Sequence, residues 1–354
     1  MAFEQFMGTR PVAPQHAFDE SALARWMAQH VDGFSGELKV EQFKGGQSNP
    51  TFLVEAGGQR YVLRRKPPGE LLPSAHAVDR EFRVISALAK TDVPVARAHA
   101  LCEDTGVVGA MFYIMDYVDG RVLWDPALPG IEMSQRRACF DELNRVIAAM
   151  HRVDPAAVGL GDYGKPGGYI ERQVGRWTRQ YRAAETEPVE AVERLIEWLP
   201  ARIPPGDEAR IVHGDYRFDN VIFHPTEPRI VAVLDWELST LGHPMVDFAY
   251  HCMAWHMQAG EGSRGLAGLD LHALGIPSES EYLQWYLRRT GRAQPSREDW
   301  VYFLVFGMFR LVGIVQGIKK RALQGNAASA QAAQAGNRVR PLAEQAWRLA
   351  QTIA

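Results

Sequence analysis

Cysteine is scarce. The 354 residues contain three, Cys102, Cys139 and Cys252, far apart, with no CxxC and no neighbouring histidine at metal-site spacing. That excludes a disulfide framework and points to a reducing compartment. Charge of one sign is lacking as well, since 39 basic and 42 acidic residues leave a formal −3. No global electrostatic case therefore exists for nucleic acid or an anionic membrane as a partner. The first twenty residues carry charges throughout and have no apolar h-region, so no signal peptide is expected. The most apolar stretch, 301–315, is interrupted by Arg310 and too short to span a bilayer, which predicts a buried helix. Internal repeats are absent, and the one biased run, Ala/Gln-rich 327–336, is expected to be the solvated start of a helix. With 46% hydrophobic and 10% aromatic residues the chain can bury a large core, so a disordered chain is excluded. The expectation is a soluble, cytoplasmic protein of two domains, or of one large domain with two lobes.

Along the chain the pattern changes character once. Asp19 can cap a helix to about residue 30, with Leu23, Trp26, Met27 and Val31 at helical spacing. Residues 38–66 then alternate as strands around a turn containing Gly45 and Gly46, with Gly57-Gly58 joining 52–54 to 61–64. A helix follows over 76–90, and strand character returns over 108–118. Beyond Gly120 helices dominate: one capped by Ser134 and running to about 151, others near 169–183 and 188–199. Short strands at 211–213, 221–223 and 230–234 interrupt them. The prediction is an α+β molecule. Residues 1–118 form an antiparallel-sheet lobe with one key helix and a helical extension over 1–36, and residues 119–354 form a mainly helical lobe.

The strongest chemical signal is His213-Gly-Asp215-Tyr-Arg-Phe-Asp-Asn220, followed fifteen residues after Asn220 by Asp235 in Leu234-Asp-Trp-Glu237. Phosphoryl transfer from Mg-ATP needs a carboxylate to orient and deprotonate the attacking hydroxyl, and an amide oxygen and second carboxylate for the metal. Asp and Asn five apart on one loop, with a hairpin returning Asp235 beside them, supply all three. The kinase catalytic loop has the same Asp-to-Asn spacing, with Gly214 here where its Arg stands.

This arrangement resembles the aminoglycoside phosphotransferase/choline kinase-like branch of the protein-kinase-like superfamily. The resemblance implies a two-lobed protein-kinase-like fold, Asp215 as catalytic base, Asn220 and Asp235 as ligands of magnesium (two ions), and His213 as a brace of the loop. It implies ATP as co-substrate. Gly45, Gly46 and Ser48 sit where a kinase phosphate loop belongs, and glycine lets backbone N–H groups approach phosphates. Arg64 takes the place of the strand lysine, with Glu81 on the next helix as its partner and Lys66, on the same strand face, as rival. Met111 to Asp119 looks like the hinge strand, with Met115 behind the adenine and main-chain groups of Asp116 and Val118 at its edge. Asp247 is expected to steady the catalytic loop from below. Glu237 is expected either to reach metal or substrate or to cap the following segment.

Only eleven residues separate Asp235 from Asp247, too few for an activation segment, and Gly214 replaces the regulatory Arg. A small-molecule kinase is therefore expected over a protein kinase. The segments Gly45 to Thr51, Tyr61 to Gly69, Leu72 to His76 and Tyr163 to Tyr169 resemble the kinase-like domain fused to, or encoded beside, acyl-CoA dehydrogenases. That subgroup implies a functional link to an acyl-CoA dehydrogenase and a hydroxylated acyl acceptor, a hydroxyacyl-CoA or hydroxy acid. Acceptor contacts are expected from Tyr163, Tyr169, Arg172, Gln173 and Trp177. The rival from another class is a catalytically idle pseudokinase that binds a nucleotide or metabolite.

Overall fold

The computed structural model describes residues 7–45, 49–67, 77–260, 264–324 and 336–353. Gly46, Ser48 and most of the 327–336 run lie outside the described residues.

The amino-terminal lobe is a six-stranded antiparallel sheet in the order β1-β2-β3-β4-β6-β5. Its strands are β1 (Thr9–Arg10), β2 (Lys39–Phe43), β3 (Thr51–Ala56), β4 (Gln59–Arg65), β5 (Ala98–Cys102) and β6 (Phe112–Asp116). Alternation sorts the side chains onto two faces. Phe52, Val54, Tyr61, Leu63, Phe112 and Ile114 point outward into one core with helix α1 (Glu20–His30), which contributes Leu23 and Met27, both fully buried. Asp19 caps α1 as expected, accepting from the N–H groups of Ser21 and Ala22. The opposite face, carrying Arg64, Tyr113 and Met115, looks toward helix α2 (Val78–Leu88).

The carboxy-terminal lobe carries the larger core, gathered between α4 (Met133–Arg152), α5 (Tyr169–Ala184), α6 (Glu190–Ala201), α7 (Pro244–Cys252), α9 (Glu279–Thr290), α10 (Arg297–Leu323) and α11 (Val339–Ala350). Short helices α3 (Thr105–Val108) and α8 (Leu271–Leu274) complete the set among the described residues. Helix α10 is long and apolar enough to cross a membrane, but 78% of its apolar window is buried inside the protein, as the expectation of a buried helix requires. Two ribbons, β7 (Arg210–Val212) with β10 (Thr240–Gly242) and β8 (Val221–Phe223) with β9 (Ile230–Val233), rise from the helices and carry the site. Val78, Val84, Ile85 and Leu88 of α2 pack in this larger core rather than in the outer core of the sheet.

Several expectations shift. The strand expected over 108–118 is confined to Phe112–Asp116, because 105–108 coil into α3 and Gly109 turns left-handed at φ 85°. β1, β5 and β10 were not expected; β1 corrects the purely helical extension expected over 1–36, and pairing rather than alternation creates all three. Ser134 lies inside α4, whose N-cap is Glu132.

Candidate functional site

The catalytic-loop segment is built on backbone groups. Beyond β7 the chain turns at Gly214, where φ is 84° and a Cβ would stand 3.0 Å from the Leu238 carbonyl oxygen. A side chain at 214 would be strained and obstructed, the physical reason no arginine stands there. Asp247, from α7, accepts from the N–H groups of His213 and Gly214, each at 2.8 Å. His151 Nε2 donates to the same carboxylate at 3.2 Å. These bonds, His151 foremost, hold the Asp247 carboxyl below the usual range although burial acts against them. His213 is fully buried; its Nδ1 accepts from the Asp215 N–H at 3.2 Å, so Nε2 bears the proton and donates to the Leu234 carbonyl at 2.7 Å.

Asp215 and Asn220 are in contact, and the backbone brings Asp235 beside them. Asn220 Nδ2 donates to the Asp215 carbonyl at 2.8 Å and to its Oδ2 at 3.1 Å. The Leu234 N–H donates to the Asn220 carbonyl at 2.8 Å, so the β8–β9 hairpin delivers Asp235 next to the loop. Asp235 is held left-handed at φ 62°. A non-glycine residue there costs energy, and such strain gathers at functional positions. Burial raises the Asp215 pKa, opposed chiefly by Arg217, whose Nη2 lies 2.9 Å from its Oδ2. Arg217 also pairs with Asp219 at 3.3 Å, and Arg264 holds Asp219 at 2.7 Å. Arg217 was not among the expected site residues, although a cation two residues after the expected base is the local signal for it.

Arg64 joins the two lobes. Its Nε lies 2.6 Å from Glu81 Oε2 and its Nη2 2.8 Å from Asp235 Oδ1, with Glu237 at 4.0 Å. Burial pulls the guanidinium pKa down, but Glu81, Tyr113, Asp235 and Glu237 outweigh it and keep it charged. Glu81 is 1% exposed; its Oε1 accepts from Asn49 Nδ2 at 2.8 Å and its Oε2 from the Tyr113 hydroxyl at 3.2 Å. Asn49 was not singled out in the sequence, because an Asn after glycines reads as turn chemistry. Lys66 pairs instead with Asp79 at 3.4 Å. At the hinge, Met115 points into the cleft face. The Asp116 N–H donates to the Arg97 carbonyl at 2.9 Å, a correction that takes this one group from the expected adenine edge, to which the Asp116 carbonyl and the Val118 main chain were also assigned. Asp116, Tyr117 and Val118 border an open hollow of about 610 Å³.

The expected acceptor residues separate. Tyr163 is a correction: it is 1% exposed, its hydroxyl bonds to the Arg80 carbonyl (3.1 Å) and Ser239 Oγ (2.7 Å), and the Arg80 guanidinium covers its ring. Arg172 donates to the carbonyls of Lys165 and Pro166 and braces its own loop. Tyr169 lies over Gly242 and Trp177 over Gly313, while Gln173 is half-buried on α5.

The donor set suits magnesium. Asn220 and Asp235 offer hard oxygen atoms, and no group of three or more His, Cys, Asp or Glu competes as a metal cage among the described residues. Magnesium is ordinarily held by one or two protein oxygens together with substrate phosphates and water.

The sequence model of the phosphotransferase enzyme family matches residues 39–300. Acyl-CoA dehydrogenase family member 10 of Mus musculus is 45% identical over 341 residues, covering 96% of this chain and 32% of that protein. Acyl-CoA dehydrogenase family member 11 of Homo sapiens is 40% identical over 338 residues, covering 94% and 43%. The chain thus spans 32% and 43% of the length of these curated relatives. A solved structure from Ralstonia eutropha JMP134, named after the aminoglycoside phosphotransferases, is 58% identical with a TM-score of 0.88, covering 95% of this chain and 99% of that one. A thermostable mutant of aminoglycoside phosphotransferase APH(4)-Ia, in ternary complex with ADP and hygromycin B, shares the fold at 16% identity and a TM-score of 0.59, covering 92% and 98%.

Proposed function

This chain belongs to the phosphotransferase enzyme family, and on that premise we propose that it transfers the γ-phosphoryl group of ATP to a hydroxyl of a small molecule. The observation that carries the reading is the contact of Asn220 with Asp215, with the Leu234 to Asn220 backbone bond setting Asp235 next to that loop and Arg64 tying Asp235 to Glu81. Asp215 accepts the acceptor's hydroxyl proton; the freed oxygen bonds to the γ-phosphorus while the bond from the β–γ bridging oxygen breaks, and ADP leaves. Burial raises the basicity of Asp215 and Arg217 moderates it, a direction that suits a carboxylate taking up the acceptor's proton. Arg64 presents a fixed cation at the cleft wall for the nucleotide phosphates. Asn220 and Asp235 would hold the magnesium, which when bound neutralises charge on the phosphate oxygens.

For the acceptor we propose a hydroxylated acyl compound, a hydroxyacyl-CoA or hydroxy acid. Support comes from relatives named acyl-CoA dehydrogenases of which this chain matches only a part, so the acceptor would belong to the same chemistry. One observation favours a second reading, the idle binding module: Arg64 already pairs with one oxygen of Asp235. ADP release with Mg-ATP, wild type beside Asp215→Asn, against hydroxyacyl-CoAs, hydroxy acids, amino alcohols and aminoglycosides, decides between them. Selective turnover that falls by about 10²–10⁴ in Asp215→Asn is expected. Turnover that is absent throughout, or indifferent to Asp215, supports the idle module.

A further inference from the structure

Arg310 is the one charged side chain between Asp299 and Lys319, in the middle of helix α10. It is 8% exposed, its Nε has no hydrogen-bond partner, and among the described residues no carboxylate pairs with it. Its neighbours are aromatic faces: the guanidinium carbon stands 4.4 Å from the centre of the Tyr250 ring and 5.5 Å from that of Trp177. Arg64 is matched by Glu81 and Asp235, and Arg65, which has no carboxylate either, donates to the carbonyls of Val108 and His16; for Arg310 no such bond is seen among the described residues. A buried cation without a counter-charge is costly, and a leucine would fill an apolar helix better.

Tyr250 also lines a cavity of about 110 Å³ beside the catalytic loop, which carries Arg217, Arg264 and Arg338 against one carboxylate, Asp219. Among the described residues that line it, three positive charges less one leave a net +2. Arg310 is not itself in that lining but stands behind it against Tyr250, as Asp215 stands behind Arg217. The Arg310 charge is felt at Asp215, where it opposes the effect of burial on the carboxyl. Trp124 and Phe218 supply apolar wall to the same cavity.

We propose that Arg310 is the anion-recognition residue of the acceptor site, so that the acceptor is a hydroxylated molecule bearing its own carboxylate or phosphate, held with its hydroxyl toward Asp215. The proposal rests on the phosphotransferase reading of Asp215. Aromatic faces on the guanidinium hold its plane while leaving its N–H edge for an anion. A positive wall disfavours cationic aminosugars.

The test uses the full chain and Mg-ATP. Straight-chain hydroxycarboxylates, their CoA thioesters and their methyl esters are compared as acceptors for wild type, Arg310→Met and Arg310→Lys. Wild type is expected to favour an anionic form over the neutral ester by at least about tenfold in kcat/KM, and Arg310→Met to lose that preference through the acceptor KM. Arg310→Lys should retain part of it. A preference for free acids puts the recognised charge on the carboxylate; one for thioesters puts it on the CoA phosphates. Thermal unfolding gives an independent readout: Arg310→Met should melt at or above wild type, whereas a packing role would lower its Tm. If no acceptor turns over, anionic compounds that raise the Tm of wild type but not of Arg310→Met, without nucleotide, still support the site. Equal use of neutral esters, a preference surviving in Arg310→Met, or no selective shift overturns it. Failure of the phosphotransferase reading looks different: ATP consumption would be the same in Asp215→Asn whatever the acceptor.

Discussion

Asp247 shows what one carboxylate does when its partners are backbone groups. It accepts from two N–H groups of the catalytic loop and from His151, and its pKa is depressed in the folded protein. A carboxyl depressed on folding contributes stability above its unfolded pKa, roughly 3.9, and that contribution is lost as pH falls through the folded value. Burial lowers the His151 pKa, which acts in the same direction, since the unfolded state binds its proton first as pH falls. Asp247→Asn sets an amide against donors and is expected to cost roughly 2–4 kcal/mol at neutral pH. Melting curves should show the gap to wild type narrowing as pH drops toward 4 and below; a gap independent of pH would mean the carboxylate charge is not the stabilising feature.

At the scale of elements, α2 and β4 are held in register by a buried polar chain, Asn49 to Glu81 to Arg64 to Asp235. Fully satisfied, such a chain fixes one arrangement; with a member removed, its neighbours are left unpaired in low dielectric. Asn49→Ala removes the donor to Glu81 Oε1 and is expected to destabilise by about 1–3 kcal/mol. Its kinetic effect should fall on the nucleotide: the ATP KM should rise several-fold while the acceptor KM changes little, a split that initial-rate kinetics with both substrates varied would expose. Arg64 with Glu81 was legible through the resemblance to the kinase-like branch, and Asp215 with Asn220 from their fixed separation. Asn49 and Arg217 were not, because each acts through a partner distant in sequence or through a geometry that a loop alone does not specify.

Across the whole molecule, the two cores do not coincide with the sheet and the helices. Helix α2 buries its apolar face with the carboxy-terminal core, and Arg80 ties it there by donating to the Tyr163 carbonyl at 2.6 Å. Arg83 adds a hydrogen bond to the Gly159 carbonyl (2.8 Å) and an ion pair with Asp162. A helix anchored in this way keeps Glu81 beside Arg64 without a separate ordering event, in keeping with the short stretch between Asp235 and Asp247. Tyr163→Phe tests the anchor. Loss of the hydroxyl is expected to cost about 1–2 kcal/mol and lower the Tm while leaving the acceptor KM alone; an altered acceptor KM at unchanged Tm would return Tyr163 to the substrate site.

By itself the sequence determined the family resemblance and most of the elements, because Asp-to-Asn spacing, glycine turns and strand alternation are local and survive without knowledge of the fold. Only the tertiary structure decided which side chains face the cleft. It took Tyr163 inward, assigned Lys66 to Asp79, took up the Asp116 N–H, and left Arg310 buried without a carboxylate beside Tyr250 and Trp177. Burial and pairing are properties of positions far apart in the chain, and no local pattern encodes them.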